Sequence, residues 1–138
     1  MYNLFVYGSL MYEDIQSALT GHIFSKQSTK IPGYLVSQLH DSDVPGMVKR
    51  PHSCANGYIL NNVDMHSFAT IKEWEGDEYS LELIPSDLVG GKICYTYMWT
   101  SNITGLLWDK DVFQRKHLQW YVDIEIPEYL KNKVNKES

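Results

Sequence analysis

From Tyr79 to Leu83 the chain alternates without a slip: Tyr79, Leu81 and Leu83 fall to one side of an extended backbone, Ser80 and Glu82 to the other. Period two puts every second side chain on one face of a strand, a pattern no helix reproduces. Gly90-Gly91 then marks a turn, and Ile93, Tyr95, Tyr97 and Trp99 share a second alternating face. The two stretches read as a hairpin, and strands joined by tight turns pair antiparallel. This unit commits the chain to a sheet.

The other elements are placed around it. Leu4-Phe-Val-Tyr7 is a continuous apolar run stopped by Gly8, the pattern of a strand buried on both faces. Pro32-Gly33 opens a second apolar segment, Tyr34 to Leu39, and His40 to Gly46 is rich in turn residues. Tyr58-Ile-Leu60 after Gly57 is a further buried strand. Glu13 to Thr20 predicts a short helix with Ile15, Ala18 and Leu19 on one side and Gly21 as its stop. Asp64 is an N-cap for a helix carrying Met65, Phe68, Ala69 and Ile71 and ended by Gly76. Phe113, His117 and Trp120 have the spacing of a closing helix with an aromatic stripe. Strands outnumber helices, so the expected fold is α+β, a curved mixed sheet or small, mainly antiparallel β-barrel with flanking helices.

A chain of 138 residues makes one domain, here 1–130, with 131–138 (KNKVNKES from Lys131) read as a frayed polar tail. Hydrophobic residues make up 43% of it, enough for a core. A net charge of −5 argues against a nucleic-acid partner, which leaves a basic patch. No stretch approaches the roughly 20 apolar residues of a membrane span. The N-terminus does not read as a signal peptide, and Cys54 and Cys94 are isolated thiols, so a cytoplasmic protein is expected.

Two places stand out chemically. Glu73, Glu75, Asp77 and Glu78 crowd the predicted helix end at Gly76. The helix dipole, neighbouring charges and burial beside Trp74 would each raise a carboxyl pKa there, which suits a general base near neutral pH. The same cluster also reads as a solvated helix end. The second place is Tyr7-Gly-Ser-Leu10, where a strand enters a glycine turn and leaves backbone N–H groups able to hold an oxyanion or carboxylate. As a lone strand and turn it is equally a structural feature. The five histidines show no metal-ligand spacing, Ser9 is not in a nucleophile elbow, and there is no phosphate-binding glycine loop.

Taken together, the motifs resemble the γ-glutamyl cyclotransferase-like superfamily, and within it the short branch of γ-glutamylamine cyclotransferases and plant avirulence-induced proteins. Phe5-Val-Tyr-Gly-Ser-Leu10 resembles its N-terminal signature, Pro45-Gly46 and Gly57-Tyr58 its middle landmarks, and Glu73-Trp-Glu-Gly-Asp-Glu-Tyr79 its aromatic-Glu-Gly segment. Trp108 to Tyr121 resembles the closing helix of the plant-like members. The match runs over residues 2 to 122. Met11-Tyr-Glu-Asp14 replaces the basic or glycine-containing segment of many relatives, and Trp74 replaces their tyrosine or phenylalanine.

The resemblance implies that Glu75 is the catalytic acid/base, that Tyr7, Gly8, Ser9, Leu10 and Tyr79 bind substrate, and that no metal or cofactor is needed. It implies cyclisation of a small-molecule γ-glutamyl amine or amino acid to 5-oxoproline, with release of the amine. A non-catalytic binding or interaction domain, or an acyl or amide transferase using the same pocket, are the alternatives. Oligomeric state and the identity of the leaving amine have no signature in these residues.

Overall fold

A computed structural model of the chain describes residues 1–137. Five strands form one sheet: β1 (Tyr2–Val6), β2 (Lys26–Ser37), β3 (Gly46–Val63), β4 (Tyr79–Leu83) and β5 (Cys94–Trp99), in the order β2-β3-β1-β5-β4. β1 and β5 run parallel, with Leu4 beside Tyr95 and Phe5 beside Thr96, and every other pairing is antiparallel. The sheet is therefore mixed and mainly antiparallel. It stays open: β2 and β4 are its two ends, and no ladder joins them among the described residues.

Both faces of the sheet are covered. Leu4, Val6, Leu60 and Tyr97 pack against α1 (Glu13–Thr20), α2 (Met65–Glu75) and the start of the last helix through Ile15, Leu19, Phe68, Ile71 and Ile126. Their neighbours in sequence, Phe5, Tyr7, Ile59 and Met98, point the other way, into a second cluster with Ile31, Tyr34, Met47 and Cys94. Tyr34 and Met47 belong to the far half of the β2–β3 hairpin, which curls over to reach them. That curl gives the barrel-like shape. It also explains the unbroken apolar run of β1, since each fully buried Leu, Ile or Phe contributes about 1.5–3 kcal/mol and here both faces supply such sites.

The hairpin of Tyr79–Leu83 with Cys94–Trp99 is present, pairing Tyr79 with Trp99 through Leu83 with Tyr95. Leu83 and Ile93 are nevertheless exposed, because β4 ends the sheet and Ile93 precedes β5. Pro32-Gly33 does not open β2; it interrupts it. The proline has no N–H for the ladder, Gly33 sits at φ +85°, and the register jumps from Pro32–Cys54 to Tyr34–Lys49. β2 and β3 are longer than the apolar segments suggested, because their bulged middle is polar and exposed.

α1 ends at Gly21 in the left-handed conformation, and the Asp64 side chain accepts from the Ser67 N–H at 3.0 Å to start α2. On α2, Phe68 and Ile71 are buried as expected, but Met65 and Ala69 face solvent and Ser67 and Thr70 take the inner positions. The closing helix is broken. α3 (Lys110–Lys116) stops at His117, then come α4 (Leu118–Trp120), a π-helical turn (Tyr121–Glu125) and α5 (Ile126–Glu137). Phe113 is buried, whereas Trp120 is half exposed, and Tyr121 packs on Phe113 instead, with ring centroids 5.4 Å apart. The segment read as a frayed tail is helical through Glu137. Ile126, Tyr129, Leu130 and Lys133 form the inner ridge of α5, and Lys133 Nζ lies 3.0 Å from Glu73. No helix of the described residues is long and apolar enough to cross a membrane.

Candidate active site

Because β1 and β5 are parallel neighbours, their carboxyl ends open on the same side of the sheet. There the chain leaves β1 through Tyr7 and Gly8 into a tight turn, Ser9–Met11. The Met11 and Tyr12 N–H groups are used within the turn, donating to Gly8 O at 3.0 Å and Ser9 O at 3.2 Å. The Ser9 and Leu10 amides begin the turn and, among the described residues, donate to no carbonyl within it. The turn is held from behind by Gln16, a fully buried amide that donates to Leu10 O at 2.8 Å and accepts from the Phe24 N–H at 3.1 Å. Gly8 allows the loop before β3 to close on it: a Cβ there would meet the Pro45 ring at 2.9 Å.

α2 delivers the acid. Its last residue is Glu75, followed by Gly76 at φ +85°, and after Asp77 and Glu78 the chain enters β4 beside β5. This short return places Glu75 at the carboxyl end of the β1–β5 pair. A cavity of about 210 Å³ opens there. Glu75 lines it together with the turn residues Gly8, Ser9 and Leu10, and with Tyr7, Tyr79, Tyr97, Tyr121, Trp74 and Glu125. All six residues singled out from the sequence therefore meet at one cavity.

Burial pushes the Glu75 carboxyl up to about 8. Neither the neighbouring acids nor the helix end supplies that shift. Glu73, Asp77 and Glu78 are exposed, and Glu73 is matched by Lys133. The acidic cluster is thus a solvated helix end for three of its members and a partly buried carboxyl for the fourth.

The tyrosines divide by what their hydroxyls do. Tyr7 Oη donates to Tyr97 O at 2.6 Å, and Tyr79 Oη donates to Pro45 O at 2.7 Å while its ring meets Trp99 edge-on at 5.0 Å. Both hydroxyls serve backbone carbonyls rather than Glu75, so these two residues brace the cavity wall. Tyr97 differs. It is 5% exposed, and its hydroxyl has no hydrogen-bond partner among the described residues. Burial, and then the charge of Glu75, raises the Tyr97 phenol well above the ordinary range, and burial does the same for Tyr7 and Tyr79. All three remain neutral donors at physiological pH.

A second carboxylate was not legible beforehand. The π-helical turn brings Tyr121 and Glu125 to the cavity, and Trp74 Nε1 donates to Glu125 Oε2 at 3.3 Å. Burial raises Glu125, opposed by the Trp74 bond, and burial pushes the Tyr121 hydroxyl up to about 12. The wider π turn redirects the side chains that follow it, and nothing in the composition of Tyr121 to Glu125 announces that. Tyr97 carried a signal, its place in the aromatic strand, but the pattern alone did not separate it from core packing. The loop Gln38–Pro45, which adds Val44 and Pro45 to the lining, is anchored by Trp108 Nε1 donating to Asp43 O at 2.9 Å and by His117 Nε2 lying 3.5 Å from Asp43 Oδ1.

An open mixed sheet thus places a carboxylate-bearing residue and a strand-exit turn on one cavity, and comparison with known proteins gives the family. The family described as gamma-glutamyl cyclotransferase, AIG2-like, matches residues 4–120, and the chain belongs to it. It is 24% identical over 129 residues to AIG2-like protein B of Arabidopsis thaliana, covering 89% of this chain and 75% of that protein. The fold is similar to a solution structure from Arabidopsis thaliana, with a TM-score of 0.66 at 22% identity over 88% of this chain and 86% of the other. It is also similar to a structure described as a gamma-glutamyl cyclotransferase, with a TM-score of 0.53 at 15% identity over 74% and 68% of the two chains.

Proposed function

We propose that the chain is a γ-glutamyl cyclotransferase that converts a γ-glutamyl amide to 5-oxoproline and a free amine, with Glu75 as its proton shuttle. The observation that carries this reading is that Glu75 and the turn residues Gly8, Ser9 and Leu10 line one cavity. Membership of the family supports it.

The reaction needs little chemistry from the protein. The substrate's own α-amine attacks its γ-carbonyl carbon, so holding the two within reach supplies much of the acceleration. A C–N bond forms, the carbonyl becomes an oxyanion, and the bond to the leaving nitrogen breaks. The proton lost by the attacking amine is the one the leaving nitrogen requires. An α-amine titrates at roughly 7.7–8.0 in peptides, and burial raises the Glu75 carboxyl to about 8, which makes its carboxylate a strong enough base to take that proton near neutral pH. The Ser9 and Leu10 amides hold the oxyanion, and one such donor is worth about 3–4 kcal/mol in other enzymes. Tyr97, buried and unpartnered, is a further donor to the substrate. Tyr7 and Tyr79 act by fixing the wall. The proposal includes a cytoplasmic setting, where two unpaired thiols such as Cys54 and Cys94 are ordinary.

Incubating the purified protein with a panel of γ-glutamyl amines and γ-glutamyl amino acids tests the reading. Appearance of 5-oxoproline with an equivalent of free amine is expected. Transfer of the glutamyl group to an added amine without ring closure would make it a transferase, and binding without any product would make it a binding domain.

A further inference from the structure

Gln16 lies on α1 with no solvent exposure, and each end of its side-chain amide meets a backbone group. Nε2 donates to Leu10 O at 2.8 Å, and Oε1 accepts from the Phe24 N–H at 3.1 Å. The first bond fills a gap. In a continuous helix Leu10 O would accept from the Asp14 N–H, but Tyr12 is extended, at φ −91° and ψ 129°, and breaks the path. The reach of that bond matters more. Leu10 O and the Met11 N–H belong to one peptide unit, and that N–H donates to Gly8 O at 3.0 Å. Gly8 O and the Ser9 N–H belong to another, and Ser9 lines the cavity. An unbroken relay thus runs from Gln16 Nε2 through two peptide units to the Ser9 N–H. Hydrogen bonds linked in series orient and polarise one another. A second relay reaches the Leu10 N–H from Lys26 Nζ, through Met11 O, the Tyr12 N–H and Ser9 O. Its first member is an exposed lysine 3.5 Å from the carbonyl, where water can take its place.

We infer that Gln16 is a positioning residue of the reaction: by heading the first relay it aims the Ser9 N–H and strengthens it as a donor to the oxyanion. The inference rests on the cyclotransferase reading and adds to it a residue that touches no substrate, since Gln16 does not line the cavity. Its effect falls on the transition state, where the carbonyl oxygen gains charge. It falls much less on binding, where that oxygen is neutral.

Two variants test this, assayed with a γ-glutamyl amide of the panel that the natural protein cyclises. Gln16→Met keeps the length of the side chain without its amide. Its kcat is expected to fall about tenfold, the equivalent of ~1.4 kcal/mol, with KM within about twofold, in protein shown to be folded by circular dichroism. Gln16→Glu restores the donor only while its carboxyl is protonated. Relative to the natural protein, its kcat should stay near parity below that carboxyl's midpoint and fall about tenfold above it, the midpoint being read by carbon-13 NMR. Natural kcat in Gln16→Met, with only a lower melting temperature, would make the residue a brace and overturn the inference. So would a rise in KM at constant kcat. A Gln16→Glu ratio that stays flat while the carboxyl ionises would overturn it too, and decides the matter should the methionine variant not fold. Absence of 5-oxoproline from the natural protein with every amide would instead sink the cyclotransferase reading, and this inference with it.

Discussion

Phe5 to Leu10 reach the cavity as a strand and the turn that leaves it, whereas Trp74, Tyr121 and Glu125 reach it as side chains of helices. On the first side the functional groups are main-chain amides, locked by sheet pairing, by Gln16 behind the turn and by glycines that admit close contacts. On the second they are side chains set by a break at His117 and a π-helical turn. A substitution other than to proline leaves a backbone amide in place, whereas Glu125 can be replaced outright. Under the proposed reaction, the strand side serves the step common to all γ-glutamyl amides, and the helical side is the one that substitution can readily alter.

The sharpest test of this division is Glu75→Gln, at the junction of the two sides. It should reduce 5-oxoproline release by about 10²–10⁴-fold with KM little changed, as loss of an acid/base does. A large rise in KM alone would blur the division. Next comes Gly57→Ala, on the strand side but away from the cavity. Its Cβ would meet the Val6 carbonyl oxygen and the Phe5 ring, so a loss of about 3 kcal/mol is expected in urea unfolding.

Glu75→Gln has a second, smaller effect, on stability. The native carboxyl keeps its proton up to about pH 8, while the unfolded chain releases it near 4.5. Between those values unfolding releases a proton, so the natural protein loses stability as pH rises through the window. The glutamine variant escapes this loss. It should match the natural protein near pH 4 and exceed it by a margin that grows steadily as the pH rises toward 8, read from paired melts across the range. The least effect is expected on the helical side. Trp74→Phe removes the N–H that holds Glu125, which should raise KM a few-fold at constant kcat, or about 0.5–1 kcal/mol.

The same contrast explains what could be read in advance. Strand β1, its glycine turn, the Asp64-to-Gly76 helix and the β4–β5 hairpin are dictated by local pattern, and each formed where residue spacing put it. Glu75 could be singled out because its cluster sits at a helix end, but not why it is perturbed. That depends on which acid turns inward, and only the return from α2 into β4 decides it. Met65 and Ala69 were misjudged because an apolar side chain on a helix reports preference, not direction, and Ser67 and Thr70 occupy the inner face. Glu125 was invisible, since its direction comes from a π turn fifty residues beyond Glu75. The polar tail was misread because three inward residues, Ile126, Tyr129 and Leu130, precede it and carry the lysine-rich turns along as helix.

The account depends most on Glu75 lying out of water at the mouth of the β1 turn. Carbon-13 NMR of the glutamate side-chain carboxyls, with Glu75→Gln used to assign the resonance, measures this directly in the free protein. A midpoint of about 8 is predicted for Glu75. A midpoint near 4.5, the ordinary value for a hydrated glutamate, would contradict it.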